Sequence, residues 1–318
     1  MLAIGRFAPS PTGQLHLGSL TTAVASFCHI KSLQGKWLVR IEDVDFERCK
    51  ASFAVSILQD LENLGLYADD EVLYQSKRTA VYDEFLHDKL SRDCYICTCS
   101  RKTLSAYFKD NPPTHHPFHK QTQLAITTSL ETTPIYPRFC LSKHLSPCPD
   151  GKLRLILPDV LTAFYDGILG TVWDNPAQSL GDVVVKRQNG MINYILACSI
   201  DDGLQGITHV MRGVDILPMT VAQLNIIKMC GLGVPDYFYH LPLLHNSDGQ
   251  KLSKQNLATP IDTSTSFKVR QLLVQALTLL GQCLPPDLLD GKPHEILAWG
   301  VKHWDNQPLQ SKVSLGTA

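Results

Sequence analysis

The chain has no surplus of charge of either sign: 29 Lys and Arg stand against 30 Asp and Glu, a formal net charge of −1. A nucleic-acid partner therefore has to be held by a local basic face, because the field of the whole molecule offers nothing. No dense basic run or row of aromatic residues marks where such a face would lie. Also missing is an apolar run of the roughly 20 residues needed to cross a bilayer. No basic leader with an apolar core and cleavage site precedes the first strand signal, so a cytoplasmic protein is expected. Internal repeats are absent as well.

What is present is a globular composition of 318 residues, enough for one large or two modest domains. Ten cysteines without a secretion signal read as reduced thiols or metal ligands rather than a disulfide framework. Cys28, Cys198, Cys230 and Cys283 sit among apolar neighbours and are expected in the core.

Strand and helix signals alternate at the start. A strand is expected over Leu2 to Phe7, a helix from about Ser19 to Ser32, and a strand from Lys36 to Ile41. Then comes a helix with Phe53, Ile57, Leu58, Leu61 and Leu64 on one face, stopped by Gly65. Ser76 reads as the N-cap of another helix, whose stripe is Val81, Tyr82, Phe85, Leu86 and Leu90. Such alternation implies an α/β fold with a parallel, Rossmann-type sheet. From Cys94 to about Asp150 the chain is rich in Pro, Thr, His and Cys and loses sustained periodicity, which reads as an insertion. Sheet-like signals resume at Asp182 to Lys186 and Ile192 to Ala197. Val210 to Gly213 and a helix over Thr220 to Met229 follow. The expected divisions are residues 1–93 and 151–256 as two halves of a catalytic domain, 94–150 as the inserted segment, and 257–318 as a short helical C-terminal region.

Residues Arg6 to Ser19, RFAPSPTGQLHLGS, carry the strongest local signal. A short strand delivers the chain to a Pro/Gly turn and then to a helix start, a joint suited to phosphates because free backbone N–H groups point out of the helix. Gly18 permits close approach of a nucleotide, and His16 adds a side-chain donor. A second signal is Lys251-Leu252-Ser253-Lys254-Gln255 in a glycine-flanked loop. Two cations three residues apart suit a triphosphate whose pyrophosphate is leaving. Their order on the two halves of one sheet makes the pair far more specific than either alone.

These two segments resemble the signature motifs of class I aminoacyl-tRNA synthetases, and RFAPSPTGxLHxGS resembles the glutamyl branch. Arg40-Ile41-Glu42-Asp43 and Met211-Arg212-Gly213-Val214-Asp215 strengthen the match, which covers residues 2 to roughly 256. Ser19 stands where the signature has its second histidine, a replacement usual in that branch. The long anticodon-binding region of glutamyl-tRNA synthetases has no counterpart in the roughly sixty residues that remain. The chain is thus similar to the truncated paralogues that attach glutamate to queuosine in the tRNA(Asp) anticodon.

A glutamate pocket needs cations for the side-chain carboxylate and an acid for the ammonium. Arg6 and Arg212 fit the first role, Glu42 the second, with Ser10 and Tyr194 as orienting hydroxyls; the resemblance implies the same set together with Phe7, Ala8 and Pro9. The plainer alternatives are a surface ion pair of Arg212 with Asp215 and a core position for Tyr194. For ATP the expected residues are Pro9, His16, Gly18, Ser19, Lys251, Ser253 and Lys254, with Mg²⁺. His16, Lys251 and Lys254 would offset the charge that develops during adenylate formation. The expected protein is a monomer using L-glutamate, ATP and queuosine-containing tRNA(Asp).

In the inserted segment Cys97-Thr98-Cys99 sets two thiols on one side of an extended chain, which suits a structural Zn²⁺. The family pattern, a tyrosine followed four residues later by a cysteine, implies Tyr136 and Cys140 as the other ligands. A neutral phenol is a poor ligand, and Cys94, Cys148, His115, His116 and His119 are ordinary alternatives, as is a loop of free thiols. Other functions compete with the queuosine reading: a truncated enzyme charging the acceptor end of tRNA(Glu), a different nucleotidyltransferase of the same superfamily acting on a small molecule, and a catalytically silent synthetase-like RNA-binding or regulatory protein. His16, both loop lysines and the full glutamate set argue against silence.

Overall fold

The computed structural model describes residues 2–112, 134–245, 259–310 and 314–316. The elements in order begin with β1 (Ile4–Phe7), α1 (Leu17–Ser32), β2 (Lys36–Ile41), α2 (Ala51–Asn63), β3 (Leu73–Tyr74) and α3 (Thr79–Asp88). Next come β4 (Cys94–Cys97), α4 (Arg101–Asp110), β5 (Lys152–Leu155), β6 (Thr162–Asp166), β7 (Gly170–Asp174), α5 (Pro176–Ser179) and β8 (Val183–Lys186). The remainder comprises α6 (Tyr194–Leu204), β9 (His209–Gly213), α7 (Leu217–Met229), β10 (Tyr237–Leu241), β11 (Leu243–His245), α8 (Ser266–Leu279), α9 (Pro293–Lys302) and β12 (Ser314–Gly316).

The main sheet has seven strands in the order β3-β2-β1-β9-β10-β6-β7. All neighbours are parallel except the terminal β6–β7 hairpin. The strands beside β1 explain the parallel arrangement: Trp37, Val39 and Ile41 are as buried as Leu38, so β2 has no water-facing side. The chain leaves β1 toward β2 on one side and returns to β9 on the other. That reversal opens a crevice at the carboxyl ends of β1 and β9, where open α/β sheets bind ligands.

Helix α1 is apolar nearly all round because it is covered twice. It lies on β1 and β9, while α8 and α9 close over its other side. Gly5 permits the first contact, since a Cβ there would sit 2.4 Å from Ile30 Cγ1. On the outer side Leu273, Ala276, Leu277 and Ile296 share one continuous core with Leu20, Val24 and Trp37. Among the described residues no helix is long and apolar enough to cross a membrane.

Several local expectations are corrected. Helix α1 starts at Leu17, two residues before Ser19, because His16 supplies the cap. Ser76 caps nothing: it lies in a tight turn over Gln75–Arg78, bonds to Asp43, and α3 begins at Thr79. Ile192 to Ala197 is not a strand. Only Ile192 bridges to Lys186, and the chain is helical from Tyr194; every residue of Ile195 to Asp202 is buried, which erased the 3.6-residue period. Val183–Lys186 is a strand, but it joins β4 and β5 in a separate three-stranded antiparallel sheet. That sheet ties the inserted segment to the chain that follows it. The hairpin β6–β7 and strand β10 went unread. Cys28, Cys198 and Cys230 are buried as expected, whereas Cys283 is exposed.

Candidate active site and cysteine cluster

A cavity of about 770 Å³ occupies the crevice. The end of β1 contributes Arg6 and Phe7, the turn after it Ala8, Pro9 and Ser10; the chain after β2 contributes Glu42; β9 contributes Arg212; and Tyr194 enters from the start of α6. Ser19 of α1 completes the set. All eight expected glutamate contacts thus line one cavity. The loops are tied together by Glu42 N–H donating to Pro9 O at 3.0 Å.

Its floor is a buried charge cluster. Arg6 meets Asp202 through Nε to Oδ1 (3.0 Å) and Nη2 to Oδ2 (3.2 Å). Arg40 Nη2 lies 2.8 Å from Asp202 Oδ1 and 3.2 Å from Glu42 Oε1. Two arginines and two carboxylates thereby neutralise each other away from water, as buried charges must. Burial drives the Glu42 carboxyl up to about 7 even though Arg40 and Arg6 pull it down. Asp202, held by both arginines, falls well below the ordinary carboxylate range in spite of its burial. Burial likewise holds the Tyr194 hydroxyl protonated far above the usual range.

Arg212 is buried and makes three side-chain bonds: Nη2 to Thr220 Oγ1 (2.7 Å), Nη1 to Gln223 Oε1 (2.7 Å) and Nε to His240 Nε2 (3.2 Å). It is no surface residue.

At the head of α1, His16 Nδ1 accepts the N–H groups of Gly18 (3.1 Å) and Ser19 (3.4 Å), while Ser19 Oγ accepts the His16 N–H at 2.9 Å. Two N–H groups expected to face a nucleotide are therefore engaged by the histidine, and the acceptor role of Nδ1 leaves the proton of a neutral ring on Nε2. The expected residues Lys251, Ser253 and Lys254 lie outside the described residues. The chain that follows them re-enters beside His16: Pro260 bridges to it, and Ile261 N–H donates to Leu15 O at 2.9 Å.

A second constellation sits at the end of β4. The sulfurs of Cys97, Cys99 and Cys140 lie within 4.8 Å of one another. Tyr136 Oη is 3.3 Å from both Cys97 Sγ and Cys99 Sγ and accepts the Cys140 N–H at 3.1 Å. Tetrahedral zinc with bonds of about 2.3 Å to sulfur needs sulfurs about 3.8 Å apart, so this donor set fits. The Arg154 guanidinium lies 3.7 Å above the ring centre. Burial and the neighbouring thiols push the Tyr136 hydroxyl well above its usual pKa, so a metal ion would have to displace its proton. Of the alternatives, Cys94 and Cys148 are not in the cluster, and His115, His116 and His119 lie outside the described residues.

Asp202, Arg40 as its partner, Gln223 and His240 were missed as site residues. Arg40 stood in a segment that strengthened the family match, and Asp202 was one of two adjacent acids in an otherwise apolar segment; Gln223 and His240 left no signal.

Residues 4–285 match the family model for the catalytic domain of class I tRNA synthetases, E and Q. The chain belongs to this family. Its relatives include the glutamyl-Q tRNA(Asp) synthetase of Methylococcus capsulatus, 40% identical over 309 residues (96% of this chain and 92% of the relative). That of Acinetobacter baylyi is 40% identical over 315 residues, 98% and 96% of the two chains. The fold matches a solved glutamate tRNA ligase from Elizabethkingia meningosepticum with TM-score 0.75 at 24% identity, over 100% of this chain and 67% of that one.

Proposed function

We propose that the chain activates L-glutamate with ATP, without needing RNA, and transfers it to the queuosine of the tRNA(Asp) anticodon, as a cytoplasmic monomer. The observation that carries this reading is one cavity in which two arginines and a buried glutamate face the same space at the sheet's switch point. Arg212 and Arg6 take the side-chain carboxylate, Glu42 the ammonium, and Ser10 and Tyr194 orient the substrate. Phe7, Ala8 and Pro9 form the wall.

In the first step an α-carboxylate oxygen attacks the α-phosphorus of ATP; the bond to the bridging oxygen breaks and pyrophosphate leaves. His16 Nε2–H, Lys251 and Lys254 offset the charge this exposes. Pro9, Gly18, Ser19 and Ser253 border the nucleotide. Mg²⁺, arriving with ATP, supplies further counter-charge. In the second step a queuosine hydroxyl attacks the carbonyl carbon, loses its proton, and AMP departs. No side chain forms a covalent bond, so positioning does the work. Cys97, Cys99, Cys140 and Tyr136 would hold zinc, which cross-links the inserted segment when bound.

The names of the 40%-identical relatives support the anticodon acceptor, and their length matches this chain's. Charging total tRNA with labelled glutamate and locating the labelled nucleoside tests it. Label on queuosine of tRNA(Asp) is expected, with none when guanine occupies that position; label at the 3′ end of tRNA(Glu) would overturn the assignment. Lys254→Ala should slow pyrophosphate exchange while leaving glutamate binding intact.

A further inference from the structure

Behind Arg212 stands a pair of side chains that the proposed mechanism does not use. His240, on β10, is the register partner of Arg212 on β9, and its Nε2 receives the Arg212 Nε–H at 3.2 Å. Its Nδ1 lies 2.6 Å from Asp166 Oδ2. Both His240 and Asp166 have no exposed surface. Asp166 is itself fixed: Oδ1 accepts the N–H groups of Ile168 (2.9 Å) and Leu169 (3.0 Å), and Oδ2 accepts the His240 N–H at 3.1 Å.

We propose that His240 and Asp166 are positioning residues which set the free edge of the Arg212 guanidinium, and thereby determine that the pocket takes a ligand with a second carboxylate. The inference rests on the reading of Arg212 as the side-chain carboxylate ligand and adds to it. Arginine has five N–H donors and no acceptor. Thr220, Gln223 and His240 each occupy one, leaving one on each terminal nitrogen, the pair that grips a carboxylate at two points. Because Arg212 can only donate, His240 Nε2 must be unprotonated, and the proton belongs on Nδ1 facing Asp166. A proton on Nε2 would oppose the Arg212 N–H and rotate the fork away from the cavity.

The surroundings keep His240 in that form. Charged groups face it from three segments: Asp166 at the end of β6, Arg212 on β9 and Asp215 in the turn that follows. Thr220 and Gln223 of α7 are neutral, and the Phe164 and Phe238 rings stand 6.1 Å and 6.3 Å from the imidazole. Burial lowers the imidazole's pKa below the ordinary value, Asp166 opposes this, and Arg212 adds to it. The neutral ring has one lone pair, and the geometry spends it on Arg212 and Thr220 (Oγ1 at 3.0 Å from Nε2).

The test compares binding of L-glutamate and its γ-methyl ester by calorimetry, since the ester keeps the ammonium and α-carboxylate and lacks the second charge. Wild type should prefer glutamate. His240→Phe should lose about ten- to a hundredfold in glutamate affinity, the worth of a charge-assisted hydrogen bond, with the ester changed by less than about twofold. His240→Gln, whose carboxamide oxygen can accept the Arg212 N–H, should recover most of the preference. Equal loss for both ligands in His240→Phe would make His240 merely structural and overturn the proposal. A wild type that does not distinguish the ligands would overturn the reading of Arg212 and the proposal with it. Should His240→Phe not fold, ¹⁵N-histidine NMR of the wild type decides: a proton on Nδ1 with bare Nε2 supports the assignment, and a proton on Nε2 overturns it.

Discussion

Arg6 and Asp202, 196 positions apart, form a two-pronged ion pair beneath the cavity, with contacts of 3.0 and 3.2 Å and both side chains 5% exposed or less. The pair joins the first strand to helix α6 across the switch point, and Arg40 shares the same carboxylate. Removing one partner of such a group leaves charge stranded in the interior. Asp202→Ala should therefore lower the unfolding free energy by about 3–5 kcal/mol in urea titration, with glutamate binding impaired because Arg6 loses its anchor. A loss under about 1 kcal/mol would mean that the two guanidiniums find water or another acceptor.

Glu42 gives the site a pH dependence whose two signs are opposite. Its carboxyl is raised from 4.5 to about 7 by burial. Its contribution to stability is thus complete below pH 4.5 and is lost as pH rises through 7, a decline of up to roughly 3 kcal/mol in the ligand-free protein. In the proposed pocket glutamate binding runs the other way, because an ammonium held by Glu42 needs the ionised carboxylate: affinity should fall as pH drops through 7. Urea titration and calorimetry at pH 5 and pH 8 read the two slopes. Glu42→Gln should flatten both.

His16 caps α1, and the proposed mechanism gives it a second, separable duty toward phosphate. Asparagine is a good N-cap but has no imidazole. His16→Asn should keep thermal stability while cutting glutamate-dependent pyrophosphate exchange about 100- to 1000-fold, the cost of losing one donor to developing charge. His16→Ala should lose about 1 kcal/mol of stability as well. An unchanged exchange rate in His16→Asn would remove the imidazole from the chemistry.

The cysteine cluster predicts one zinc per chain by elemental analysis of the purified protein. Cys140→Ser should abolish it, and Tyr136→Phe should weaken it, read as faster zinc loss to a chelating dye. Arg154→Met, which removes the cation above the phenol ring, should weaken it too. Native protein without zinc would leave a thiol cluster that needs no metal.

Arg6 to Ser19 was legible because turn and helix-start chemistry is local: Pro, Gly and a capping side chain act on their own neighbours. Tyr194 and Arg212 were named from the chemistry a glutamate pocket needs, with the resemblance deciding against a core tyrosine and a surface ion pair; the strand expected over Ile192 to Ala197 was wrong because a helix buried on all sides has no amphipathic period. Tyr136 was implied by the family pattern and opposed by solution chemistry. The structure brings its hydroxyl to 3.3 Å from two thiols and sets the Arg154 guanidinium over its ring, contacts that nothing in the order of residues announces.

The sequence by itself determined the class of fold, the strand-turn-helix joint at Arg6 to Ser19 and the types of side chain that now line one cavity. These follow from local backbone preference and from side-chain chemistry, which travel with the residues. Only the tertiary structure decided which charges meet. Asp202 of α6 reaches Arg6 of β1, Asp166 of β6 reaches His240 of the parallel strand β10, and Arg154 of β5 covers Tyr136 because the fold sets elements distant in sequence side by side and because burial makes an unpaired ion too costly to keep. Burial also moved Glu42 to about 7, a property of its surroundings that its identity as a glutamate does not contain.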